Sequence, residues 1–284
     1  MPLRLVLFIP FVVQLVAAVG LVGWLSWRNG RAAVNDVAAQ LRREITDRVE
    51  KHVDSVLETH KLINRLNVDA VTEGYLNLDL PVNSPVLRRY FWRQIKQFET
   101  ANYIYYASEK NDFLGAQKTF FDHTLNHQIG YSYSGILTKY KAYEYLLDAE
   151  GNIKKLVKVY PQFYPKTTFW YQQAARLKKP GWTGIYGWNV GADISLDTVT
   201  PLYDKKGEFK GVLGVSFTLE DISNFIKNMD LGKAGQTFIL ERNGHLVATS
   251  STEIPYGFFK KAEISQQQID PEDMAPMEDE HGEF

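Results

Sequence analysis

The chain of 284 residues contains no cysteine. That absence excludes disulfides, cysteine-bound metal and thiol catalysis, and it suits an envelope protein that avoids oxidation chemistry. A surplus of one charge is missing as well. Lys and Arg total 32, Asp and Glu 33, and the net charge of −1 leaves no basic footprint for nucleic acid. Catalytic signatures are also lacking. There is no His-Glu-x-x-His pattern, the Gly211-Val212-Leu213-Gly214 run lacks the Gly-Lys-Ser/Thr ending of a phosphate loop, and Ser216 sits in no Gly-x-Ser-x-Gly elbow. Glu220 and Asp221 read as helix-start charges rather than as an acid–base pair. Asn126 precedes His127-Gln128 and is no glycosylation acceptor. No cofactor is expected.

Charge is absent from Leu5 to Trp27, where only Gln14 and Ser26 are clearly polar. A helix needs roughly 20 apolar residues to cross a bilayer core, and Trp24 and Trp27 stand at the end of the run, where amphipathic rings favour the interface. A cleaved signal peptide would have an apolar stretch of only about 7–15 residues, so Arg4 and Ala17-Ala18 do not outweigh the reading of a retained anchor over residues 1–29. Arg28, Arg31, Arg42 and Arg43 follow the span, and by themselves they favour an inside C-terminus.

Proline is absent from residues 30–72, and Gly30 is the only glycine there. Val34, Val37, Leu41 and Ile45 recur at helical spacing. Val49, Val53, Val56, His60, Ile63, Asn67 and Ala70 follow with a 4-3 alternation. Such a seam belongs to a coiled coil or to a helix laid along its own domain, and the 4-4 steps Leu41–Ile45–Val49 read as a stutter. The loop-forming stretch Glu73–Pro85 precedes a second helical pattern over Leu87–Thr100. From Asn102 the pattern turns to strands. Asn102–Asn111 reads as one strand. Hairpins are expected around Ala149-Glu150-Gly151-Asn152, Asp204-Lys205-Lys206-Gly207 and Arg242-Asn243-Gly244. Helices are expected over Thr168–Leu177 and Leu219–Met229, while Phe120–Gly135 reads as a loop. The acidic tail Glu263–Phe284 holds no second apolar span.

What is plentiful is aromatic: 16 Tyr, 16 Phe and 6 Trp. Several stand in recognisable runs. These are Phe163-Tyr164-Pro165-Lys166-Thr167-Thr168-Phe169-Trp170-Tyr171-Gln172-Gln173-Ala174, Trp182-Thr183-Gly184-Ile185-Tyr186, Pro201-Leu202-Tyr203-Asp204 through Gly211-Val212-Leu213-Gly214-Val215, and Leu231-Gly232-Lys233-Ala234-Gly235-Gln236-Thr237-Phe238-Ile239-Leu240. In this order, over most of residues 30–251, they resemble the double Cache extracytoplasmic sensor domain of bacterial chemoreceptors, histidine kinases and nucleotide cyclases.

The resemblance implies an α+β fold: a transmembrane helix, a long helix, then PAS-like antiparallel sheets with flanking helices. It implies a long signalling or dimer helix over 30–75, a membrane-distal module over 76–229 and a partial membrane-proximal module over 230–284. It also places the soluble part outside the inner membrane, against the arginine count. The expected partners are a small-molecule ligand, the membrane through residues 5–27 and a second copy of the chain, with no nucleic acid. Lacking an output domain, the chain reads as the N-terminal part of a longer receptor or as a truncated product.

The candidate ligand residues are Tyr103, Tyr105, Thr168, Trp170, Tyr171, Trp182, Tyr186, Asp197 and Ser216, aromatics giving walls and the polar groups orientation. Three positions depart from the amino-acid-binding members. Thr168 stands where they carry an Arg for the ligand carboxylate, Ser216 where they carry an Asp for the amine, and Phe163 where they carry a Tyr. Thr and Ser replace neither charge, so amino-acid sensing by the usual contacts is not expected. His123 and His127, four apart, would share a helix face as metal ligands, but their segment reads as a polar loop, and no metal site is expected. The rival readings are a ligand-free structural or partner-sensing dimerisation module and an extracytoplasmic hydrolase.

Overall fold

After Gly30 the sequence has neither proline nor glycine up to Thr72 and keeps a steady apolar period, so nothing there stops a helix. In a computed structural model of the protein, helix α1 runs from Leu3 to Thr72 and carries Pro10 within its first turns. The structure describes residues 3–118, 125, 128–187, 194–229, 235–242, 244 and 246–251, with side chains from Phe8 onward. His123, His127 and Asn126, the Leu231–Ala234 start of the last motif, Asn243 and the acidic tail lie outside the described residues.

The chain divides into two compact units, Met1–His52 and Val53–Phe284. The first is helical throughout its described residues. From Phe8 it includes a segment of mean hydropathy 2.2, none of it buried, long and apolar enough to cross a membrane. Arg28 and Arg31 lay their guanidinium groups over Trp24 and Trp27, at 5.4 and 5.5 Å from the ring centroids.

The second unit is α+β. After α1 come α2 (Pro85–Gln97), β1 (Tyr103–Ser108), β2 (Phe113–Gln117), β3 (Gly130–Ser134), β4 (Ala142–Leu147), β5 (Ile153–Tyr160), α3 (Phe169–Leu177), β6 (Gly181–Gly187), β7 (Ile194–Tyr203), β8 (Phe209–Thr218), α4 (Leu219–Lys227), β9 (Phe238–Leu240) and β10 (Leu246–Thr249). Strands one to eight make one antiparallel sheet in the order β5-β4-β3-β2-β1-β8-β7-β6, and β9 and β10 pair separately. The last strand to join, β8, pairs with the first, β1, which puts residues distant in sequence side by side at the centre.

Because strand side chains alternate, the sheet has two unlike faces. On one, Ile104, Tyr106, Leu114, Tyr131, Leu213 and Val215 pack against Ile63 of α1 and Leu87, Phe91 and Ile95 of α2. On the other, Tyr105, Ala107, Phe113, Val199 and Val212 pack against Trp170, Tyr171 and Ala174 of α3.

Over its later half the 4-3 seam of α1 lies along the chain's own domain, the second of its two readings: Val56, His60, Ile63 and Asn67 are buried within the fold, and Leu62 and Leu66 are exposed apolar positions. One expectation is corrected. Residues 130–134, expected in a loop, form β3, and β2 lies in a stretch with no strand reading.

Candidate functional site

The α3 face is built around two tyrosines that lie down on glycines. Tyr105 on β1 faces Gly214 on β8, and a Cβ at Gly214 would overlap the Tyr105 ring. Tyr103 lies over Gly115 in the same way, its Cε2 2.7 Å from where a Cβ would stand. With no side chain beneath them, both rings spread over the sheet instead of standing on it.

Tyr105 reaches Asp197 on β7 and donates to its Oδ2 at 2.7 Å. Tyr186 of β6 donates to the same oxygen at 2.6 Å, and Ser195 donates to Oδ1 at 3.1 Å. Asp197 is 0% exposed. Among the described residues no lysine or arginine pairs with it. Burial pushes its carboxyl above the usual carboxylate range, and the surrounding hydroxyls pull it back. Burial, then the neighbouring carboxylate, pushes the Tyr105 and Tyr186 phenols well up, so both are donors. Ser216 stands across from Asp197 in the β7–β8 register and is fully buried.

Trp170 packs its ring 4.6 Å from that of Tyr105, Phe169 lies 5.4 Å from Tyr186, and Phe113 bridges to Phe163 at 5.0 Å. Tyr171 donates to the Ser108 carbonyl at 3.4 Å, and burial raises its phenol to about 12. Thr168, the residue before α3, gives its hydroxyl proton to the Pro165 carbonyl at 2.6 Å. It closes the turn that aims Trp170 into the face.

Of the nine candidates, then, Tyr103, Tyr105, Trp170, Tyr171, Tyr186, Asp197 and Ser216 share the α3 face, with Thr168 at its border. Trp182 does not join them. It pairs with Thr198 and meets Phe217, ring to ring at 6.3 Å, on the α1 side. Four residues apart on one strand, Trp182 and Tyr186 should share a face. A bulge between Trp182 and Ile185, with Gly184 at φ +77°, inserts a residue and reverses the alternation. Thr183 fixes the bulge: its hydroxyl donates to the Gly184 carbonyl at 2.7 Å and accepts the Asp197 N–H at 3.1 Å.

A second polar group on this face escaped the sequence reading. Gln117 donates to the buried Glu144, Tyr160 donates to Glu144 at 3.2 Å, and Ser132 donates to Gln117 at 2.7 Å. In sequence, Gln117, Ser132 and Glu144 are polar strand residues that resemble a solvent face, yet all three are buried.

The fold and site together define a PAS-like α+β domain: an antiparallel sheet with helices on both faces and a buried polar group beneath the α3 aromatics. No family model matches the chain. The methyl-accepting chemotaxis protein McpA of Pseudomonas putida is 29% identical over 90 residues, which are 31% of this chain and 14% of that protein's length. Among solved structures, the chain is similar to the ligand-binding domain of the Campylobacter jejuni chemoreceptor Tlp3 in complex with 4-methylisoleucine (17% identity, 78% of this chain and 73% of that one, TM-score 0.44). It is also similar to the extracellular domain of the putative histidine kinase mmHK1S-Z3 (14%, 70% and 66%, TM-score 0.45). A third is the ligand-binding domain of the Pseudomonas aeruginosa PAO1 amino-acid chemoreceptor PctC in complex with GABA (13%, 72% and 73%, TM-score 0.43).

Proposed function

We propose that the chain is the extracytoplasmic sensing part of a membrane-bound bacterial signal-transduction receptor. In this reading residues 5–27 anchor it in the inner membrane, and residues 76–229 form a membrane-distal module that takes a small molecule on the α3 face. Residues 230–284 are a partial proximal module, and α1 relays the bound state. Support comes chiefly from Asp197. A carboxylate without a cation is costly inside a protein, and one kept among tyrosines and beneath Trp170 is suited to a ligand that brings a hydrogen-bond donor or a positive charge. Thr168, its proton already used, offers no charge to a ligand carboxylate. The ligand is therefore an uncharged or cationic molecule rather than an amino acid held through both of its charges.

The burial of Trp170 and Tyr171, 7% and 4% exposed, favours a second reading: a filled, ligand-free module that acts through a partner. A thermal-shift screen of the full chain in detergent against amines, amino acids, organic acids, purines and sugars separates the two, because a ligand of the folded state raises Tm by mass action. A shift lost in Trp170→Ala and Asp197→Asn supports sensing. A cooperative melt unmoved by the whole panel supports the ligand-free module.

A further inference from the structure

The groups on the α3 face and those that hold α1 are immediate chain neighbours. Asp197 faces α3, and Thr198, the next residue, faces α1. Ser216 faces α3 and Phe217 faces α1, on the strand paired with β7. Towards these two residues α1 turns His60 and Asn64, and one turn further on Asn67, all buried. Asn64 donates its amide N–H to the Thr198 carbonyl at 2.8 Å and to the Thr198 hydroxyl at 3.3 Å. The His60 ring lies 5.0 Å from that of Phe217. Asn67 accepts from Tyr90 at 2.9 Å and from Gln94 at 2.6 Å, both on α2.

Apolar packing is non-directional and tolerates a helix sliding along its axis. A hydrogen bond to a strand carbonyl does not. A buried amide in a helix seam sets register at a cost in stability. Three polar residues in the buried stripe of α1 are therefore poor choices for stability alone and good ones for fixing where the helix sits on β7.

We propose that Asn64 couples the state of Asp197 to the register of the Val53–Thr72 part of α1, through the single peptide link between Asp197 and Thr198. The proposal rests on the sensing role argued above. A ligand that draws on Asp197 competes with the Tyr105 and Tyr186 hydroxyls for its oxygens and shifts β7 at this point. The Thr198 carbonyl moves with it, and Asn64 follows or lets go. Asn64 is thus a positioning residue that never touches the ligand.

The test needs no ligand, because Asp197→Asn alters the site directly. Hydrogen–deuterium exchange is followed in the full chain in nanodiscs, with Asp197→Asn placed in the wild-type and the Asn64→Ala backgrounds. Asp197→Asn is expected to change exchange of amides 60–70 about threefold or more in the first background and to leave them unmoved in the second. Amides 169–177 of α3 should respond alike in both. If Asn64→Ala does not melt cooperatively, Thr198→Val provides the second background and is expected to reduce the α1 response. Equal α1 responses in both backgrounds, or an α1 that never responds, overturn the coupling. The sensing role is judged separately by the ligand screen, so coupling can fail while sensing stands.

Discussion

At the scale of single residues, the site depends on a missing side chain. Gly214 is the second glycine of the Gly211-Val212-Leu213-Gly214-Val215 run, and its conformation is one any residue could adopt. What it lacks is a Cβ, and Tyr105 occupies that space. Gly214→Ala should lift the Tyr105 ring and break its bond to Asp197, costing about 1–3 kcal/mol of stability as overpacking does. A chemical melt checks the cost, and loss of any ligand-induced Tm shift checks the displaced ring. Asp197 itself makes the opposite prediction. Its carboxyl is pushed up in the folded state, so folding favours the protonated form, and stability falls as pH rises through the raised value. Asp197→Asn should therefore melt higher than wild type at pH 7, with the gain shrinking towards pH 4. A variant less stable at pH 7 would mean the carboxylate belongs to the scaffold rather than to a binding site kept at the scaffold's expense.

At the scale of elements, the sequence is legible where one physical rule acts alone. The 3.6-residue period places α2, α3 and α4 within a few residues of their observed ends, and the turns at Ala149–Asn152 and Asp204–Gly207 place the β4–β5 and β7–β8 hairpins. It fails where burial and polarity conflict. In β3, Tyr131 and Tyr133 alternate with serines that look solvent-facing, yet Ser132 and Ser134 are buried beneath the α3 side and hydrogen-bonded there. In β2, all five residues are buried, so no alternation is left to read. The Trp182–Tyr186 parity was illegible because one bulge, marked in sequence only by Gly184, reverses it. The same conflict gives α1 a pH response. Burial lowers the pKa of His60 from 6.5 to about 4, while Asp221 and the Val56, Thr100 and Ser216 carbonyls raise it in part. Nδ1 approaches the Val56 carbonyl at 2.6 Å and holds the proton. A base depressed in the folded state contributes its full stability above pH 6.5 and loses it as pH falls towards 4. At about 1.4 kcal/mol per pKa unit the loss by pH 4 is about 3 kcal/mol. His60→Leu should flatten that part of the curve of Tm against pH, and an unchanged slope would assign it to other groups.

At the scale of the whole molecule, two physical arguments oppose each other over the side on which the proposed anchor leaves Val53–Phe284. The arginines after the apolar run favour an inside location, whereas a receptor that senses external molecules needs the domain outside. The absence of cysteine makes the question accessible, since any introduced thiol is the only one present. Tyr75, in the turn after α1, is 87% exposed, so Tyr75→Cys should react wherever reagent reaches it and disturb little packing. In intact spheroplasts a membrane-impermeant maleimide should label Tyr75→Cys as fully as it does after lysis. Labelling that requires lysis would put the domain inside and make the arginine count the deciding term. It would leave the α3 face exposed only to cytoplasmic molecules, and the search for what Asp197 binds would move to those.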